Sequence, residues 1–199
     1  MNTRIILSAA LACCTLPALA ADLAHEPAHE LAQYVAQSRA AALPFMRELN
    51  EANKKAIGEG GPEAAIAVCK DIAPKMAGEV SRRTGWKLSR VSAKARNALL
   101  GTPDQWERQT LEQFEARLAK GEQADAMERA EVLQEGNGKS FRYMKAIVLQ
   151  QGCVACHGQP EQMAPGVKAR LNQEYPNDKA TGYLPGQLRG AVSIQRALE

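Results

Sequence analysis

One pentapeptide constrains this chain more than any other stretch: Cys153-Val154-Ala155-Cys156-His157. It follows the apolar run Ala146-Ile147-Val148-Leu149 and leads into Gly158 and Pro160. Cys-x-x-Cys-His reads as a c-type haem attachment site. Two thiols at this spacing reach the two vinyl groups along one edge of a porphyrin, and the adjacent imidazole is held under the ring, where it can bind iron. Three plainer readings compete. A redox dithiol prefers a helix start inside a βαβ pattern, and none is visible. A zinc site would need Cys69 as an outside ligand, and adjacent Cys156 and His157 aim poorly at one metal. A disulfide closing a two-residue loop is strained.

The N-terminus fits the same chemistry. Arg4 supplies a charged end, Ile5 to Leu16 form a short apolar stretch, and Ala18-Leu19-Ala20 is a small-residue cleavage site. Residues 1–20 are therefore expected to be an export leader, with residues 21–199 as one haem domain. The apolar stretch is too short for a membrane span. A lipoprotein reading at Cys13 is less suited, since the leucine before it stands one place late. A periplasmic protein is expected, because c-type maturation takes place outside the bacterial inner membrane. Loss of Arg4 lowers the net charge from +3 to +2, which leaves no nucleic-acid footprint. Of five cysteines, Cys13 and Cys14 leave with the leader and Cys153 and Cys156 serve the haem, so Cys69 stands alone.

Residues 26–55 carry a helical stripe of Leu31, Tyr34, Val35, Ala42, Phe45 and Leu49. Pro44 is expected to kink or break it. His25 and His29 stand one turn apart, a spacing that can bind a metal or supply a second axial ligand, although their position favours a frayed, solvated terminus. Gly58-Glu59-Gly60-Gly61 reads as a loop, and Pro62 opens a helix running to about Arg83. Cys69 falls on that helix's apolar face, where spacing alone favours a buried small hydrophobe. Trp86 to Ser92 reads as a strand. Lys94, Arg96 and Asn97 follow in a loop, either solvated or facing haem propionates. Thr102-Pro103-Asp104-Gln105 starts a helix with Thr102 as cap, and Trp106, Thr110, Leu111, Phe114 and Leu118 point inward. Glu131–Leu133 and Phe141–Met144 read as strands around a Gly136-Asn137-Gly138 hairpin turn. Met163 lies too near His157 to reach the opposite face of a ring. Residues 182–190 read as loop and Ala191 to Gln195 as a last strand.

Several stretches taken in order resemble the Tll0287-like family of exported haem domains. These are Ala64-Ala65-Ile66-Ala67-Val68-Cys69, Arg96-Asn97, Cys153-Val154-Ala155-Cys156-His157, residues 175–183 from Tyr175-Pro176-Asn177-Asp178 to Gly182-Tyr183, and Leu188-Arg189-Gly190-Ala191-Val192-Ser193. The resemblance implies an α/β (α+β) class, PAS-like, with an antiparallel sheet and long helices packed on it. It also implies one covalent haem c with His157 as one axial iron ligand and Cys69 as the other. Related domains often precede a kinase or chemoreceptor module, and no such output is expected here.

Three function classes follow. An exported mono-haem protein would transfer electrons or sense redox state or a small gas ligand through a partner protein, without nucleic acid or membrane span. A non-enzymatic role is expected, because His157 is the only histidine of the folded body. A peroxidase-type haem enzyme would need an open iron face and a distal acid–base group, with His25 or His29 as candidates. A structural zinc protein would use the Cys/His cluster.

Overall fold

The computed structural model describes residues 19–198. The proposed leader, apart from its last two residues, lies outside the described residues. The architecture is α+β, as the resemblance implied. Helix α1 (Leu19–Ala67) leads through a π-helical turn (Val68–Ile72) into α2 (Ala73–Thr84). Strand β1 (Lys87–Val91), the short α3 (Ala98–Gly101) and α4 (Gln105–Ala119) follow. Then come the hairpin strands β2 (Glu128–Glu135) and β3 (Gly138–Val148). The chain continues through α5 (Val154–His157) and α6 (Pro165–Glu174) and ends in β4 (Leu188–Leu198). The four strands form one antiparallel sheet in the order β1-β4-β3-β2.

The sheet is buried on both faces, and period-two alternation sorts its side chains. Phe141, Tyr143, Val192, Ile194 and Leu88 face α1, which lays Ala41, Ala42, Phe45 and Leu49 on them. Met144, Ala146, Ala191 and Val91 face α4 and its Trp106, Leu111 and Phe114. Phe45 and Phe114 are fully enclosed, each contributing about 1.5–3 kcal/mol of burial. A third, smaller cluster joins Ile66 at the end of α1 to Val167 and Leu171 of α6 and to Tyr175.

Local expectations changed in four places. Pro44 does not break α1. It removes the N–H that would bond the Ala40 carbonyl, yet helical geometry continues, because Ala41, Ala42, Phe45 and Leu49 on either side are anchored to the sheet. The break falls at Gly60 (φ −144°) and Gly61 (φ 74°, ψ −178°), a combination only glycine adopts freely. The cap of α4 is Asp104, not Thr102. Its carboxylate accepts from Glu107 N at 2.8 Å while Glu107 Oε2 accepts from Asp104 N at 2.8 Å, a reciprocal capping box. Thr102 instead donates to the Ala98 carbonyl at 2.6 Å, closing α3. Finally, α6 occupies a stretch with no sequence expectation, and β4 begins three residues before the expected strand.

Candidate haem site

The Cys-x-x-Cys-His stretch folds as a 3-10 turn (Gln151–Cys153) running into α5. This places Cys153 and Cys156 one turn apart on a single side, with His157 next to them. Backbone bonds strap the turn to the loop before β4. Tyr183 N donates to the His157 carbonyl at 3.0 Å and Gly182 N to the Gly158 carbonyl at 2.8 Å. The His157 ring stands edge-on to Tyr183, with centroids 6.4 Å apart and an interplanar angle of 86°.

The tautomer of His157 follows from its partners. Nδ1 lies 2.7 Å from the Ala180 carbonyl, so it must carry the proton and donate it. The Arg189 Nε–H also points at Nδ1, from 3.3 Å, but a protonated Nδ1 has no lone pair to accept it, and the shorter contact decides. Nε2 is thereby left with a free lone pair, the arrangement that metal-ligating histidines use. Burial first, then Arg96 and Arg189, hold the imidazole well below its usual range, so the ring is neutral at pH 7.

Ala180 is itself fixed. Asp178 pairs with Arg96 Nε at 3.0 Å, both side chains being about nine-tenths buried, and its other oxygen accepts from Ala180 N at 2.7 Å. Arg96 also donates to the carbonyls of Cys156 and Ala180. The segment from Tyr175 to Tyr183 is thus tied to the Cys-x-x-Cys-His turn through one buried arginine. Of the three polar residues expected in the loop after β1, Arg96 is buried at the site, Lys94 is exposed, and Asn97 caps α3.

A cavity of about 830 Å³ lies against this turn. Cys153 and His157 line it from one side, and Cys69 lines it from the π-helical turn. Phe45, Leu49, Val91 and Ile147 give it apolar walls, and Leu99 and Leu100 of α3 stand exposed at its rim. Its size lies within the range of small-molecule and cofactor sites. The Cys69 thiol donates to Asn53 Oδ1 at 3.6 Å, and the Cys156 thiol points to the Pro62 carbonyl at 3.7 Å. Cys69, Cys153 and Cys156 are all free thiols. Burial raises the Cys156 thiol to about 11, Arg96 opposing and Cys69, Glu63 and Cys153 adding to the rise. That is the reverse of the lowered thiol a redox dithiol requires.

The other candidate residues fall elsewhere. His29 is exposed on α1, 3.4 Å from Gln33 Nε2, and does not line the cavity. The side chain of His25 lies outside the described residues. Met163 follows a 3-10 turn and packs with Ile66 and Leu171. Among the described residues no cluster of three or more His, Cys, Asp or Glu could hold a metal ion, so zinc has no protein cage there. No helix among them is long and apolar enough to cross a membrane. Sequence reasoning missed Arg90, Asn53, Asp178, Tyr183 and Arg189 as site residues. The one available local signal was Gly190 directly before the expected strand, since a glycine at a strand marks a bulge or close backbone approach.

A model of the Tll0287-like family matches residues 20–196. The chain belongs to that family. Among solved structures, the crystal structure of the cyanobacterial heme-protein Tll0287 superimposes with a TM-score of 0.59 at 24% identity, covering 79% of this chain and 92% of that one. No curated protein matches. The shared fold places this member of the Tll0287-like family on the same antiparallel scaffold.

Proposed function

We propose that this chain is an exported carrier of one covalently attached c-type haem, working in electron transfer or redox sensing through a partner protein. One observation carries the reading: Cys153 and His157 of one motif, and Cys69 from far earlier in the chain, line a single apolar-walled cavity. The residues fit the group. Cys153 and Cys156 would hold it through thioethers, Nε2 of the neutral His157 would face the iron, and Cys69 would approach from the opposite element. A bound haem supplies a one-electron Fe(III)/Fe(II) couple. The protein's part is to hold His157 in one tautomer through Ala180, to keep the site dry with Phe45, Leu49 and Val91, and to offer the Cys69 sulfur, which would bind iron as a thiolate. A thiolate favours ferric iron, so a low potential is expected. Export rests on the Arg4 to Ala20 leader, and the name of the solved relative supports a haem.

The π-helical turn at Cys69 favours a gas-responsive variant of this reading. Such turns are rare and concentrate at functional sites. A Cys69 that leaves the iron on reduction would open a position for CO or NO.

Low-temperature EPR of the oxidised holoprotein, compared with Cys69→Ser, tests the assignment. Narrowly spread low-spin signals that vanish in the variant are the expected result. A spectrum unchanged by the substitution removes Cys69 from the iron. A colourless wild-type preparation removes the haem. CO titration of the reduced protein then tests the labile ligand, and no CO spectrum would refute it.

A further inference from the structure

The wall of the cavity beside His157 carries more positive charge than the protein neutralises. Arg189 is the first case. The β3–β4 register steps from Ile147↔Gly190 to Val148↔Leu188, leaving Arg189 as the extra residue of a β-bulge. Bulges of this kind re-aim a side chain. Here the guanidinium is turned toward the site, 3.3 Å from His157 Nδ1, 3.4 Å from the Lys94 carbonyl and 5.6 Å from the Tyr183 ring centroid. None of these is an anion, and Arg189 has no carboxylate partner among the described residues. Burial lowers its pKa, with Arg96 and Arg90 pushing the same way against Tyr183 and Asp178.

Arg90 is the second case. It projects from β1 onto the α1 side of the sheet, opposite Val192, half-buried on the cavity wall. It has no ion pair and no side-chain hydrogen bond among the described residues. Arg96 is the third cation, and the Asp178 carboxylate already answers it. Lys94 and Arg47 are exposed to solvent. Around His157 this leaves Arg189 and Arg90 without an anion in a partly desolvated site, a costly state unless a ligand supplies one. A haem carries two carboxylates.

We propose that Arg189 and Arg90 form an anion clamp in this cavity, each pairing with one haem propionate. The proposal rests on the haem reading above and adds the orientation of the ring: its propionate edge points toward β1 and the bulge, away from α1. Arginine's planar fork suits a carboxylate, and its charge survives at any working pH.

The test uses the matured holoprotein with Arg189→Gln, Arg90→Gln, Arg189→Lys and the reference Arg47→Gln. Covalent haem is checked by intact mass in each. The readouts are the propionate bending band in the resonance Raman spectrum and the midpoint potential. The expected result is a shifted band in both glutamine variants and a lowered potential, because a lost cation favours ferric iron. Arg189→Lys keeps the potential near wild type but still shifts the band, since an ammonium replaces the fork. Should Arg189→Gln fail to mature, Arg189→Lys and Arg90→Gln carry the test. Bands unchanged in both Arg189 and Arg90 variants overturn the clamp while the haem stands. A shift confined to Arg47→Gln overturns it too, placing the propionates toward α1. A wild-type mass without haem overturns clamp and haem reading together.

Discussion

Two arginines on the same sheet make opposite arrangements. Arg142, on the α4 face, is 4% exposed and lies among three carboxylates: Asp104 at 2.6 Å, Glu107 at 3.4 Å and Glu135 at 3.4 Å, with the Trp106 ring 5.0 Å away. Arg189, on the opposite side at the bulge, has no carboxylate within ion-pair distance among the described residues. The α4 face neutralises its own cation: its helix is capped by Asp104, and Arg142 lies among carboxylates. The α1 face is hollow at one end, with two unanswered cations, a π-helical turn, a bulge and exposed leucines at the rim. One face answers its buried cation from within the protein, and the other carries the candidate site.

The sharpest way to break this contrast is to remove each charge. Arg142→Met leaves the buried Glu107 carboxylate facing Asp104 with nothing between them. A loss of about 3–5 kcal/mol is expected, as when one member of a buried ion pair is deleted. Arg189→Met, placed in a haem-free Cys153→Ala, Cys156→Ala background, strands no charged partner, only the exposed Lys94 carbonyl at 3.4 Å, and should fall within about 0.5 kcal/mol of its parent. Urea unfolding of both pairs reads the difference. Equal losses would mean that Arg189 is part of the scaffold after all.

A smaller effect probes how the hollow face is shaped. Gly190 has φ 153°, and a Cβ there would lie 2.3 Å from the Val91 carbonyl oxygen. Gly190→Ala therefore combines backbone strain with a clash against β1, where the bulge sets the aim of Arg189. A cost of about 1–3 kcal/mol is expected from the strain alone. The same variant should disturb the propionate band, because the bulge and the clamp are one structure. A comparable substitution on the α4 face, away from the bulge, should leave that band unmoved.

The same contrast explains what the sequence disclosed. The α4 face was legible because its signals are local: Trp106, Thr110, Leu111, Phe114 and Leu118 recur at helical spacing, and the Gly136-Asn137-Gly138 turn fixes the hairpin register. The Cys-x-x-Cys-His motif was legible because the proposed haem attachment would compress three roles into five residues. What remained hidden depends on pairs far apart in the chain. Arg96 reads as one more loop cation until Asp178 and Ala180 are brought beside it. Arg189 reads as a loop residue until the register shows it as the bulge of β4. Cys69 could be placed on an apolar face, but the π-helical turn that carries it leaves no mark in spacing. Pro44 shows the converse, a strong local signal overridden by packing on both sides.

The mildest test concerns acid. Burial pushes the Asp104 carboxyl up, but the Glu107 N–H and the Arg142 guanidinium outweigh it and hold the group below the ordinary carboxylate range. A group depressed in the folded state stabilises the protein above its unfolded value, near 3.9, and that contribution disappears as pH falls through the folded value. Asp104→Asn preserves a competent helix cap, so at pH 7 its effect should stay below about 1 kcal/mol, as for a half-exposed pair. The informative quantity is the slope. Urea unfolding between pH 5 and pH 2 should give wild type a steeper decline below about pH 4, with the two proteins converging at the acid end. In the haem-free Cys153→Ala, Cys156→Ala background, Arg189→Gln should leave no mark on this limb, because without propionates Arg189 has no carboxylate to lose. An acid decline in that background shallower than its parent's would reveal a protein carboxylate paired with Arg189, and would remove the difference between the two faces.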